Sequence, residues 1–104
     1  MHLTFTSALL AAVALAIHAK AQSLIAFSGD SCNGGQGNDV ACNGACIDFS
    51  GRHSFEVLGS AANVVLFSGG GCSGESFNFG TEQPNNCINV NTGTSISSFQ
   101  CTGA

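Results

Sequence analysis

Apolar positions along the chain fall into short runs, each closed by glycine, serine or asparagine. Leu24-Ile25-Ala26 leads into Phe27-Ser28-Gly29-Asp30-Ser31-Cys32-Asn33-Gly34, and Val64-Val65-Leu66 leads into Phe67-Ser68-Gly69-Gly70-Gly71-Cys72-Ser73-Gly74. Each apolar run predicts a strand. Each glycine-rich stretch predicts a tight reversal, because glycine reaches positive φ without a Cβ penalty. Ser76-Phe77-Asn78-Phe79 alternates polar and aromatic, the period of a half-buried strand, and puts both rings on one buried side. The pattern predicts strands over 23–27, 38–41, 46–49 and 54–58, then over 63–67, 76–79, 87–90 and 95–101. Pro84 and Asn85-Asn86 fall between strands, where breakers belong. After residue 21 no stretch has helical periodicity. The expectation is an all-β, two-sheet sandwich.

The second half repeats the first. Phe27–Gly34 lies on Phe67–Gly74 without a gap. Cys46-Ile47-Asp48 matches Cys87-Ile88-Asn89, and Ser54-Phe55-Glu56-Val57-Leu58-Gly59 matches Ser98-Phe99-Gln100-Cys101-Thr102-Gly103. The offset grows between these blocks, as it does when loops take insertions and strands do not. Ala61-Ala62 is too short for a flexible linker, so the halves, about 23–60 and 61–104, are expected to share one core.

The start of the chain reads differently. Leu9–Ile17 is apolar all round and Ala19-Lys20-Ala21 has the small-x-small form of a cleavage site. Residues 1–21 are therefore expected to be a secretory signal peptide. The apolar run is far shorter than the ~20 residues a spanning helix needs, so no membrane span is expected. A single domain over 22–104 remains, small enough that its core alone is marginal. Its only fixed positive charge is Arg52, against Asp30, Asp39, Asp48, Glu56, Glu75 and Glu82. That balance argues against nucleic acid, whose binding needs Lys and Arg on phosphates, and against anionic membranes.

All six cysteines lie in the same region, the mark of a disulfide framework in a secreted chain. Six cysteines allow fifteen pairings. Cys32 is equivalent to Cys72 and Cys46 to Cys87, so the simplest symmetric scheme is Cys32–Cys46 and Cys72–Cys87, one inside each half. Cys42 and Cys101 have no cysteine counterparts and are then expected to join the halves.

An aromatic, six residues, a glycine, and later a serine opening the last strand of a four-strand unit resembles the Greek-key motif of the βγ-crystallin superfamily. The matching residues are Phe27, Gly34 and Ser54 in the first half and Phe67, Gly74 and Ser98 in the second. The resemblance spans residues 22–104. It implies that each serine hydrogen-bonds a folded-over hairpin and that two motifs make one sandwich. Six cysteines with no Trp or Tyr depart from the lens proteins and look more like small secreted cysteine-rich proteins of fungi and other microbes.

The resemblance also implies a calcium site of two Asn/Asp, two free positions, Ser/Thr and the strand-opening serine. Gly93-Thr94-Ser95-Ile96-Ser97-Ser98 matches only at its last two positions, and Phe49-Ser50-Gly51-Arg52-His53-Ser54 only at its last. Asp48, Asn89, Asn91 and Ser97 are left as candidates for a degenerate calcium site, and no other cofactor is implied. Zinc at Cys42-x3-Cys46 lacks further ligands.

A catalytic reading would join His53 to Asp48 and Ser50 or Ser54, but no nucleophile-elbow sequence accompanies them. Glu56 and Glu75 have no defined separation to act as a glycosidase pair. Gly69-Gly70-Gly71 lacks the Gly-Lys-Ser/Thr of a phosphate loop. The chain is therefore expected to be a non-enzymatic, monomeric secreted protein that binds an extracellular protein or glycan, in an antimicrobial, toxin-like or host-interaction role. The alternative is a structural or wall-associated extracellular protein. The loops around Arg52-His53 and Asn91-Thr92-Gly93, which the repeat leaves unlike, are the places where function is expected.

Overall fold

The computed structural model describes residues 22–103, so the signal peptide expected over 1–21 lies outside the described residues. Eight strands follow one another: β1 (Ser23–Phe27), β2 (Val40–Ala41), β3 (Cys46–Asp48), β4 (Ser54–Leu58), β5 (Ala62–Gly69), β6 (Ser73–Glu82), β7 (Cys87–Asn89) and β8 (Ser98–Gly103). They form two antiparallel four-stranded sheets, ordered β2-β1-β4-β7 and β3-β8-β5-β6. The protein is all-β among the described residues.

The two sheets are the same construction made twice. Leu24 lies opposite Val57 and Ala26 opposite Phe55, while Val64 lies opposite Cys101 and Leu66 opposite Phe99. The register of the repeat is thus kept strand for strand. One feature crosses between the halves: β3 pairs with β8, and β7 pairs with β4. Each half gives its third strand to the other half's sheet.

This exchange corrects two of the expected cystines. The bridges are Cys32–Cys87, Cys46–Cys72 and Cys42–Cys101. Cys32–Cys46 and Cys72–Cys87 do not form. Cys46 leaves on β3 for the sheet that carries Cys72, and Cys87 leaves on β7 for the sheet that carries Cys32. The twofold symmetry of the pairing survives, but every bridge now ties one half to the other.

Inward residues alternate along the strands. Leu24, Ala26, Phe55 and Val57 face Ala62, Val64, Leu66, Phe99 and Cys101 across the interior. The loops carrying the chain between sheets add Phe49 and Ile96. Phe49 meets both sheets, edge-on to Phe55 at 6.5 Å and to Phe99 at 5.7 Å between centroids. Full burial of such a ring contributes about 2–3 kcal/mol, and edge-to-face pairing adds to it.

Candidate functional site

The repeated Phe-Ser-Gly stretches are structural. In the first hairpin the Ser54 hydroxyl donates to the Gly29 carbonyl at 2.6 Å and accepts from the Cys32 N–H at 2.8 Å. In the second, Ser98 donates to Gly69 at 2.6 Å and accepts from Cys72 at 2.9 Å. Both serines are buried, so these bonds satisfy groups that water cannot reach. Gly34 and Gly74 have φ of 76° and 78°, and a Cβ on either would stand under 3 Å from a serine hydroxyl. Those hydroxyls belong to Ser28 and Ser68, which accept from Gly35 N–H and Glu75 N–H respectively. Sequence reasoning passed over this second serine pair, although its signal was visible in the repeat of Phe-Ser-Gly.

The chain's exchange between sheets produces a different kind of place. The loop from β3 to β4 (49–53) and the loop from β7 to β8 (90–97) run past each other in opposite directions. Phe49 N–H donates to Ser97 O and Val90 N–H to His53 O, both at 2.9 Å. His53 N–H and Ser97 N–H reach back to the carbonyls of Phe27 and Phe67. The second loop is three residues longer than the first, so the pair does not close symmetrically. It leaves an open cleft of about 570 Å³ lined by Arg52, His53, Asn91, Thr92, Thr94 and Ser95, with Val90 and Ile96 as its apolar lining. Thr92 bonds within its own loop, its hydroxyl donating to Thr94 O at 2.8 Å. The Arg52 guanidinium is anchored from the side, Nη1 donating to Gly35 O at 2.9 Å. The cleft thus offers hydroxyls, an amide, an imidazole and one fixed cation, and no carboxylate lines it.

Of the four calcium candidates only Asp48 and Ser97 are brought together. Asp48 and Ser97 share a shallow hollow of about 270 Å³ with Ser50, Gly70 and Gly71. Asn89 stands in the other sheet and gives its side-chain amide to Asp30 O at 2.9 Å. Asn91 lines the cleft. Asp48 already accepts from Ser50 N–H at 3.0 Å, and this bond, then the Ser50 hydroxyl, holds its carboxyl below the usual carboxylate value. A hard cation takes six to eight oxygens, often with several carboxylates. A single exposed carboxylate beside Arg52 does not fit that demand.

Of the catalytic constellation Asp48 and Ser50 meet in that hollow, while His53 lines the cleft. Ser54 has both hydrogen-bonding roles occupied in the hairpin and is fully buried, away from exposed His53. Glu56 lies on β4 and Glu75 on β6, in different sheets. Among the described residues no group of three or more His, Cys, Asp or Glu converges as a metal site would require, and no helix is long and apolar enough to cross a membrane. Comparison with protein-family models, curated proteins and solved structures finds no match. Three disulfides in so small a domain fit an extracellular location.

Proposed function

We propose that this is a secreted protein that acts by binding rather than catalysis, and that the cleft between the two crossing loops is its binding face. We take the strand order as that of two βγ-crystallin-like Greek keys, each with its fourth strand returned beside its first. The observation that carries the functional reading is the lining of the cleft: Arg52, His53, Asn91, Thr92, Thr94 and Ser95, with no acidic side chain, on a chain otherwise acidic. An extracellular glycan suits that lining, since its hydroxyls meet donors and acceptors alike and need no compensating charge. Such a role agrees with an antimicrobial or host-interaction protein that recognises a surface polysaccharide.

Screening the oxidised protein on a glycan array tests this reading. The expected result is binding to one glycan class, reduced at least tenfold by Thr92→Ala and by His53→Ala, both outside the core. Absence of any glycan signal at high protein concentration, with extraction of the protein only alongside insoluble wall material, would favour a structural role instead.

A further inference from the structure

The repeat can be followed beyond the hairpins, and there it breaks. With the same offset of forty, Gln36 falls on Ser76, and the pairings Phe27 to Gln36 and Phe67 to Ser76 show that the match is spatial. Leu24 opposite Val40 corresponds to Val64 opposite Gly80. Gly37 therefore stands where the second half has Phe77, and Asp39 where it has Phe79. In the second half both rings pack against the core, and Phe79 meets Phe55 edge-on at 6.0 Å. Phe55 is the counterpart of Phe99. Beside Phe99, where the missing rings would lie, the structure has a slot of about 220 Å³.

Its walls are Leu24, Ala26, Val40, Ile47 and Phe99, and Asn38, Asp48 and Arg52 stand among them as the polar groups. Engineered apolar cavities of about 150 Å³ bind benzene, so the space suffices for a ring and a short substituent. The other half of the molecule shows what such walls accept, since the equivalent walls hold phenyl rings. We propose that this slot is a binding site for a small neutral aromatic molecule with one hydrogen-bonding group at its outer end. The ring lies against half-buried Val40 and Ile47, above the buried Leu24 and Phe99 that floor the slot. Its polar group meets the Asp48 carboxylate and the Arg52 guanidinium, which supply an acceptor and a donor whose charges offset each other. The site is distinct from the polar cleft, although Arg52 borders both.

The test is a titration of the ¹⁵N-labelled, three-disulfide protein with benzyl alcohol, followed by amide chemical shifts, with benzoate and benzylamine as charged comparisons. The expected result is saturable shifts centred on Leu24, Gly37, Val40, Ile47 and Phe99, with a dissociation constant on the order of 1 mM for so small a ligand. Both charged analogues should bind more weakly. Gly37→Phe restores the residue of the other half. The atoms nearest its Cβ would be the far end of the Arg52 side chain, at 3.1 Å, and the Ala26 carbonyl oxygen, at 3.3 Å, so Arg52 must shift slightly. This variant should lose at least tenfold in affinity while gaining thermal stability. Val40→Phe, on the short edge strand, fills the slot from its other side and serves where Gly37→Phe does not fold. Shifts that fail to saturate, that centre on the 90–97 loop, or that persist unchanged in a folded filled variant would overturn the proposal.

Discussion

The two halves share register, hairpins and buried serines, yet one half is filled and the other is not. The second half has a ten-residue β6 whose Phe77 and Phe79 pack down onto the core. The first half has only two residues of β2 in the same place, with Gly37 and Asp39 at the aromatic positions. A further contrast runs the other way. Cys42 and Cys101 tie the first half's edge to the interior, and their counterparts are Glu82 and Val57, which form no bridge. The lesson is that the repeated positions hold the fold, and the positions where the repeat fails locate its open spaces. Both the slot and the cleft lie at such failures.

The exchanged cystines give the largest expected effect. Replacing Cys32 and Cys87 together by serine should cost about 2–5 kcal/mol in chemical denaturation, as should replacing Cys46 and Cys72. The first pair closes a sequence separation of 55 and the second one of 26. The Cys42–Cys101 bridge, however, already shortens the path from Cys32 to Cys87 to about 24 residues, so in the chain-entropy account the two losses should be nearly equal. A clearly larger loss for the first pair would show that strain or residual structure outweighs loop length.

The unbridged side can be made to match the bridged one. Val57→Cys with Glu82→Cys should form a fourth cystine, leave no free thiol, and raise stability by about 2 kcal/mol after the loss of the valine methyls. A reactive pair of thiols in the folded double variant would show that Glu82 does not face Val57 as Cys42 faces Cys101.

The paired serines come next. Ser54→Ala and Ser98→Ala each strand a part-buried carbonyl and an N–H, so each should lower stability by about 1–2 kcal/mol, and the two values should agree closely. A wide difference between them would mean that the two hairpins are not energetically equivalent.

The smallest effect is in the acid range. Burial raises the Glu82 carboxyl above its ordinary 4.5. Its charged form is thus penalised in the fold at neutral pH, and the penalty vanishes below the unfolded value. Glu82→Gln should stabilise the protein at pH 7 by less than about 0.5 kcal/mol, given solvent screening, and not at all below about pH 4. Asp48 acts oppositely: its contribution is present above 3.8 and is lost as pH falls through its lowered folded value. A stability gain from Glu82→Gln that is independent of pH would point to packing rather than charge.

Much of this was legible in the chain. Regular apolar runs and repeated Phe-Ser-Gly give the two all-β halves, because glycine and serine at fixed offsets leave the backbone few alternatives. The strands at 23–27 and 54–58 lie where the pattern puts them. Cys42–Cys101 was legible, because neither cysteine has a counterpart in the repeat. The other two cystines were not, because pairing within halves and pairing across them are equally symmetric. Only the long-range step of β3 and β7 into opposite sheets decides between them. The unlike loops at Arg52-His53 and Asn91-Thr92-Gly93 were visible as a length difference, but their meeting in one cleft follows from that same exchange. The slot was present in the sequence as Gly37 and Asp39 against Phe77 and Phe79, once the offset of forty is carried past Gly34.

The exchange of third strands brings the crossing loops together and sets the Cys32–Cys87 and Cys46–Cys72 bridges between the halves. Disulfide mapping by mass spectrometry, on protein digested without reduction at acid pH to prevent thiol exchange, tests it most directly. The expected peptides join Cys32 to Cys87 and Cys46 to Cys72, with Cys42 joined to Cys101. Peptides joining Cys32 to Cys46 and Cys72 to Cys87 would place each third strand in its own half and contradict it.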